Sequence, residues 1–174
     1  MNTLCLGNSR ATLILLAQHH AKGKTQSRES AAFGTIGDNV RTHPMLYIDT
    51  NILIYLLEDH GQRSQQVATA LERFSKQAHP FVTSVLTITE FLAGTECTDS
   101  DILYKIPNLG FHPLDTVVAE QAARLQRQHD LRIGDALHLA TAQTLHASRL
   151  FTNDKQLAKI ASGILPVVTL DEAA

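Results

Sequence analysis

Apolar residues fall along this chain in short blocks whose spacing changes from one block to the next. Leu46–Asp49 is a compact apolar run ending in an acid, the pattern of a buried strand. Asn51–Glu58 (NILIYLLE) reads as a helix, and in Gln62–Gln77 the residues Val67, Ala70, Leu71 and Phe74 recur on one helical face. Phe81–Thr83 follows Pro80 as a second strand, and Ser84–Ala93 reads as a helix stopped by Gly94. Ser100–Ile106 is a shorter helix closed by Pro107, and Phe111–Leu114 a third strand. Asp115 is placed to cap a helix over Thr116–His129, with Val118, Ala122 and Leu125 on its inner face. Asp135–His146 reads as a helix, Arg149–Thr152 as a fourth strand, Lys155–Ile160 as a last helix and Val167–Leu170 as a final strand. Strands separated by helices predict an α/β fold with a parallel sheet covered on both faces. In such sheets ligands bind at the carboxyl ends of the strands, so the residues at strand ends are the first to weigh.

The pattern begins only at Met45. Residues 23–44 (GKTQSRESAAFGTIGDNVRTHP) are rich in Gly, Ser, Thr and charge and follow neither a helical nor a strand period. Ahead of them Ala11–Ala17 is apolar, but LAQHHAKG after it offers no small-residue cleavage site, which argues against a secretory signal. The GKT at 23–25 lacks the preceding glycine and the strand–loop–helix setting of a phosphate-binding loop. Residues 1–44 are therefore read as an appendage, with Met45 a candidate translation start, and residues 45–174 as one domain. The charge divides at the same place. Residues 1–44 carry five basic and two acidic residues (+3), and residues 45–174 ten basic and fifteen acidic (−5), within a total of −2. Two cysteines, Cys5 and Cys97, exclude a disulfide framework and a multi-cysteine zinc site, and no apolar run is long enough to span a membrane.

Four acids stand at informative places: Asp49 in YIDTN, Glu90 in TITEFLAG, Asp135 in IGDALHLATA and Asp154 in FTNDKQL. Each has a local explanation. Asp49 suits an Asx-turn, Thr87 to Glu90 a capping box, and Asp135 and Asp154 helix caps. Asp49 and Glu90, however, lie within apolar stretches, and gathering buried carboxylates is costly unless protons or a cation compensate. A hard divalent ion with oxygen ligands is the natural compensator. Histidine does not compete, since no HxxxH or HExxH set occurs, and His138 reads as a partly buried helix residue one turn after Asp135.

Taken in order, YIDTN, TEFLAG, GDALHLATA and FTNDKQL resemble PIN-domain ribonucleases, most of all the VapC toxins of VapBC toxin–antitoxin pairs. The resemblance covers residues 45–174 and implies a three-layer α/β/α sandwich with a small parallel sheet. It implies a cytoplasmic, Mg²⁺-dependent endoribonuclease, with Mn²⁺ as a substitute. The family's four acids fall on Asp49, Glu90, Asp135 and Asp154, as metal ligands and catalytic groups, with Thr50, Asn51, Thr152 and Asn153 as polar supports. It also implies a homodimer, no membrane, and a VapB-like antitoxin whose C-terminal segment reaches the site.

An anionic site needs metal to accept an anionic RNA, so the expected reaction is hydrolysis by metal-activated water, without a protein nucleophile. Arg124, Arg127, Arg132 and Lys155 are candidate phosphate contacts, with Arg63 and Lys105 as further candidates. Few aromatic residues and no Trp argue against an extended base-stacking platform. The alternatives are a DNA target, a role in RNA processing outside toxin–antitoxin pairs, or a catalytically silent RNA-binding module. A phosphotransferase with an aspartate nucleophile fits poorly, because Asn51 stands where that class has its second acid.

Overall fold

Along the first strand, β1 (Leu46–Ile48), alternate side chains go to opposite faces: Leu46 and Ile48 enter one core and Tyr47 the other. All three are fully buried, as a central parallel strand requires. The computed structural model describes residues 44–58 and 61–173. Within them β1 is followed by α1 (Thr50–Glu58), α2 (Gln62–Lys76), β2 (Phe81–Ser84), α3 (Leu86–Gly94), α4 (Asp101–Tyr104) and β3 (Leu109–His112). Then come α5 (Thr116–His129), α6 (Ile133–Thr144), β4 (Arg149–Phe151), α7 (Lys155–Ala161), β5 (Val167–Val168) and α8 (Leu170–Ala173).

The strands form one parallel sheet in the order β3-β2-β1-β4-β5. The chain builds outward from β1 to β3, then crosses back to lay β4 on the other side of β1. The order therefore reverses between β1 and β4, and a crevice opens beyond the carboxyl ends of those two strands. One face of the sheet is covered by α1 to α4 and α8, through Leu53, Leu56, Leu71, Phe74, Phe91 and Leu103. The other is covered by α5, α6 and α7, through Val118, Leu125, Leu139, Ala140 and Leu157. This is the expected three-layer α/β/α sandwich. The apolar faces of α1 and α2 are spent on the core, and truncating a residue such as Phe74 to Ala would cost about 3–5 kcal/mol.

Several boundaries differ from the sequence expectation. The third strand is Leu109–His112 rather than Phe111–Leu114. Asn108 turns into it at φ 60°, and Pro113, with no N–H to give the ladder, ends it. Ser84 belongs to β2, and its hydroxyl accepts from Leu86 N at the start of α3. The sixth helix runs Ile133–Thr144 rather than Asp135–His146, with His146 at φ 50° just beyond its end. Residues expected at the end of the last strand instead begin α8. Thr169 and Glu172 form half of a capping box, with Glu172 Oε2 accepting from Thr169 N (3.0 Å) and Thr169 Oγ1 (3.1 Å). Asp115 does cap α5, accepting from Val118 N at 2.9 Å. The readings made for residues 1–43, including the appendage and Ala11–Ala17, lie outside the described residues.

Candidate active site

The D-T-N and T-N-D motifs lie at the carboxyl ends of β1 and β4, and hydrogen bonds sew them together across the crevice. Asp49 N donates to Phe151 O (3.0 Å), extending the β1–β4 ladder by one residue. The Asp49 carboxylate is buried, 5% exposed, and satisfied from three sides. Its Oδ1 accepts from Thr50 N (2.7 Å), and its Oδ2 from Asn51 Nδ2 and Thr152 Oγ1, both at 2.6 Å. Asn51 also reaches Thr152 Oγ1 (3.2 Å) and accepts from Asn153 N (3.1 Å). Thr152 Oγ1 accepts from Asp154 N (3.1 Å). The four residues expected as polar supports thus hold Asp49 in place, or hold its holders.

Asp154 has the capping role its position suggested. Its Oδ1 accepts from Gln156 N (2.8 Å) and Leu157 N (2.9 Å) at the start of α7. Asp135 does not cap. It is the third residue of α6, where its charge faces the positive end of the helix dipole, and Arg132 stands at the cap position. Among the described residues the Asp135 carboxylate has no hydrogen-bond or ion-pair partner. Partial burial, then the charges of Asp154 and Asp49, raise it above the ordinary carboxylate range, with Arg132 and His138 opposing. Burial first, with Glu90 adding, likewise raises Asp49 against the pull of His138, Thr152 and Thr50.

Glu90 departs from its expected capping role. It is the fifth residue of α3, and Thr87, the supposed cap, is buried, with its hydroxyl 2.6 Å from Thr83 Oγ1 and 3.0 Å from Thr50 Oγ1. Glu90 Oε2 accepts from Thr50 Oγ1 (2.5 Å) and lies 2.8 Å from His138 Nε2. Burial pushes the Glu90 carboxyl up, but the hydrogen bond and charge of His138, with Thr50, bring it below its ordinary value. His138 itself is fully buried, which opposes its charge. Its bond to Glu90 and the charges of Asp49, Glu90 and Asp135 outweigh that and raise its pKa. This histidine is the member of the site that sequence reasoning passed over. Its place three residues after Asp135 was visible; its partners, 48 and 91 residues away, were not.

The basic candidates divide. Arg132 is exposed and close enough to Asp135 for its charge to be felt, and Lys155 is exposed beside Asp154 at the start of α7. Arg124 and Arg127 are exposed on α5 and bond within their own helix, to Gln121 Oε1 and Ala123 O. Arg63 lies over the Tyr55 ring, 5.1 Å from its centroid. Among the described residues none of these three pairs with a carboxylate of the crevice.

Among the described residues no three His, Cys, Asp or Glu side chains converge as a ready-made metal cage. The donor set still suits a hard cation. Asp135 is unpartnered, two further acids raise it by repulsion, and the acidic groups that face the crevice offer oxygen. Mg²⁺ in particular keeps several waters and takes only one or two protein carboxylates, so it does not need such a cage. No described helix is long and apolar enough to cross a membrane.

Comparison with known proteins agrees with this architecture. The family model described as PIN domain matches residues 46–163. Among solved structures, a toxin–antitoxin complex from Klebsiella pneumoniae is similar at 28% identity and TM-score 0.56, covering 72% of this chain and 97% of that one. VapBC2 from Rickettsia felis, bound to a promoter DNA fragment, is similar in fold at 20% identity and TM-score 0.54, covering 72% and 98%. FitAcB from Neisseria gonorrhoeae gives 19%, 0.54, 72% and 98%. No curated protein matches the chain. The chain belongs to the PIN-domain family, as the order of its four acidic motifs predicted.

Proposed function

We propose that this protein is a Mg²⁺-dependent endoribonuclease and the toxin of a toxin–antitoxin pair, restrained by a VapB-like antitoxin. PIN domains are generally nucleases, which supports phosphodiester hydrolysis. The similarity to a toxin–antitoxin complex supports the pairing. One observation carries the chemistry: the unpartnered Asp135 carboxylate shares the crevice with Asp154 and buried Asp49, whose negative charges both disfavour its ionisation.

Asp49 and Asp135 would hold the cation, with Glu90 and Asp154 beside them; Mn²⁺ would suit the same oxygens. A bound divalent cation supplies Lewis acidity, a more acidic water and charge neutralisation for the phosphate. The residues of the chain do the rest. Thr152, Asn51 and Thr50 N–H keep Asp49 in one rotamer, so its orientation need not be set again at each turnover. Asp154 is anchored through Oδ1 by the α7 cap and is the group best placed to orient a water from the β4 side. Arg132 and Lys155 flank the acids and supply positive charge to the neighbouring phosphates of a strand. The described residues present no aromatic platform, so backbone and shape, rather than stacked bases, are what the site would read.

The test is cleavage of a total RNA pool by the purified chain with Mg²⁺, run beside Asp49→Asn and Asp135→Asn, with EDTA and single-stranded DNA arms. Cleavage of RNA that is lost in both variants and in EDTA supports the proposal. Equal cutting by the variants removes the acids from the chemistry, and cutting of DNA alone reassigns the substrate. Binding without cutting, in every arm, would make the chain a silent RNA-binding module.

A further inference from the structure

The two oxygens of Glu90 meet different surroundings. Oε2 takes Thr50 Oγ1 (2.5 Å) and His138 Nε2 (2.8 Å). Oε1 has no hydrogen-bond partner among the described residues and lies against Gly134, the residue before Asp135. A Cβ on Gly134 would stand 2.9 Å from it.

His138 is fixed from its other side by β1. Its Nδ1 is 2.8 Å from Tyr47 Oη, and the two rings meet edge to face at 5.9 Å. The hydrogen-bond arithmetic leaves one arrangement at Nε2. An ionised carboxylate can only accept, so Nε2 carries the proton and donates to Glu90. At Nδ1 the Tyr47 hydroxyl can donate to a neutral ring or accept from a charged one, and neither choice disturbs the bond to Glu90. The ring is 1% exposed, so water is not at hand to replace either partner.

We propose that His138 is a positioning residue for Glu90: Tyr47 orients the ring, the ring and Thr50 hold Oε2, and the missing side chain at Gly134 leaves the slot in which Oε1 stays free to meet a cation. This rests on the reading of Glu90 as a metal-facing acid. The groups that orient a metal ligand are commonly worth ten- to a hundredfold in metal affinity. The Gly134 contact adds a condition that the hydrogen bonds alone do not. An added Cβ would press on the far end of Glu90, and the shift that relieves it moves the carboxylate against its bonds to Thr50 and His138. Replacing a glycine within a helix by alanine otherwise favours the fold.

The experiment measures the affinity of the full 174-residue chain for Mn²⁺ alone by electron paramagnetic resonance, together with thermal midpoints in EDTA. Glu90→Gln, His138→Ala, His138→Gln and Gly134→Ala are compared with wild type. The expected result is an affinity lowered roughly tenfold or more in His138→Ala and Gly134→Ala, and within about threefold of wild type in His138→Gln, whose amide can still donate. Gly134→Ala should lose affinity while its thermal midpoint holds or rises, which a purely structural role would not produce. Weak binding by Glu90→Gln with wild-type binding by His138→Ala and Gly134→Ala overturns the positioning role and leaves Glu90 as a ligand. Wild-type binding by Glu90→Gln removes that ligand and the positioning role with it, while Asp49 and Asp135 keep their separate test in RNA cleavage. If His138→Ala does not fold, Gly134→Ala and His138→Gln decide the matter on folded protein.

Discussion

Thr152 Oγ1 donates to Asp49 Oδ2 across 2.6 Å, joining residues 103 positions apart at the carboxyl ends of β1 and β4. The same hydroxyl oxygen accepts from Asp154 N (3.1 Å), so one side chain serves both the first and the last acid of the site. Thr152→Val keeps the shape and removes the hydroxyl, leaving a buried carboxylate oxygen short of a donor. The expected loss is about 1–3 kcal/mol by urea unfolding, and Thr152→Ser should recover most of it. A valine variant as stable as wild type would show that Asn51 suffices to hold Asp49.

Asp135→Asn removes a charge that two neighbouring acids repel. In EDTA at neutral pH the variant should unfold no earlier than wild type in urea, even though RNA cleavage is lost. The sign follows from the raised carboxyl. An acid whose folded pKa lies above its unfolded value destabilises the fold when ionised, so wild type should gain on the variant as pH falls through that folded value. Clear destabilisation by Asn at neutral pH would mean that the aspartate charge has a stabilising partner.

The His138–Glu90 pair gives a stability term with two edges. The raised histidine contributes fully below its unfolded pKa, about 6.5, and loses that contribution as pH rises through its folded value. The lowered glutamate contributes above its unfolded value, about 4.3, and loses that contribution as pH falls through its folded one. The advantage of wild type over His138→Gln, measured by urea unfolding in EDTA, should therefore peak between about pH 4.5 and 6.5 and shrink on both sides. A difference that stays flat across that range would mean that the ring contributes packing and a neutral hydrogen bond only.

Ala78 sits at φ 58° just past the end of α2. Ala78 N bonds Ser75 O (3.0 Å) and His79 N bonds Phe74 O (3.2 Å), the two closures of a Schellman turn. Glycine is the usual occupant of that left-handed position. Ala78→Gly should raise stability by about 1 kcal/mol without changing cleavage, since the turn lies at the amino end of β2, away from the crevice at the carboxyl ends of the strands. An unchanged unfolding midpoint would show that the turn carries no strain.

The four acids were legible because strand-to-helix junctions are visible in the apolar pattern, and each acid lies at or soon after one. The assembly around them was less so. A capping box and a core glutamate have the same local spelling at Thr87–Glu90; only the packing of α3 against α1 and α6 decides between them. His138 was discounted because i+3 spacing shows which helix face it shares and nothing of what that face meets. Gly134 carries no chemistry of its own, and its part lies in what it leaves room for. The frame of β3 was misread by two residues because Phe111–Leu114 has the stronger apolar signal, while Pro113 forbids it from pairing. The T-L-D-E of α8, by contrast, was a readable capping signal that was passed over.

The strand order has a kinetic meaning as well. The central strand pairs with one neighbour that the chain supplies some thirty residues later and another about a hundred residues later, and contacts of such long separation form slowly. Until β4 docks, Asp49 lacks Phe151 O, Thr152 and the Asp154 turn, so a partly folded chain has a first half-sheet and no assembled crevice. Activity should therefore report the fully folded population, and in a chain emerging from the ribosome the crevice stays unassembled until nearly all of the domain has been made.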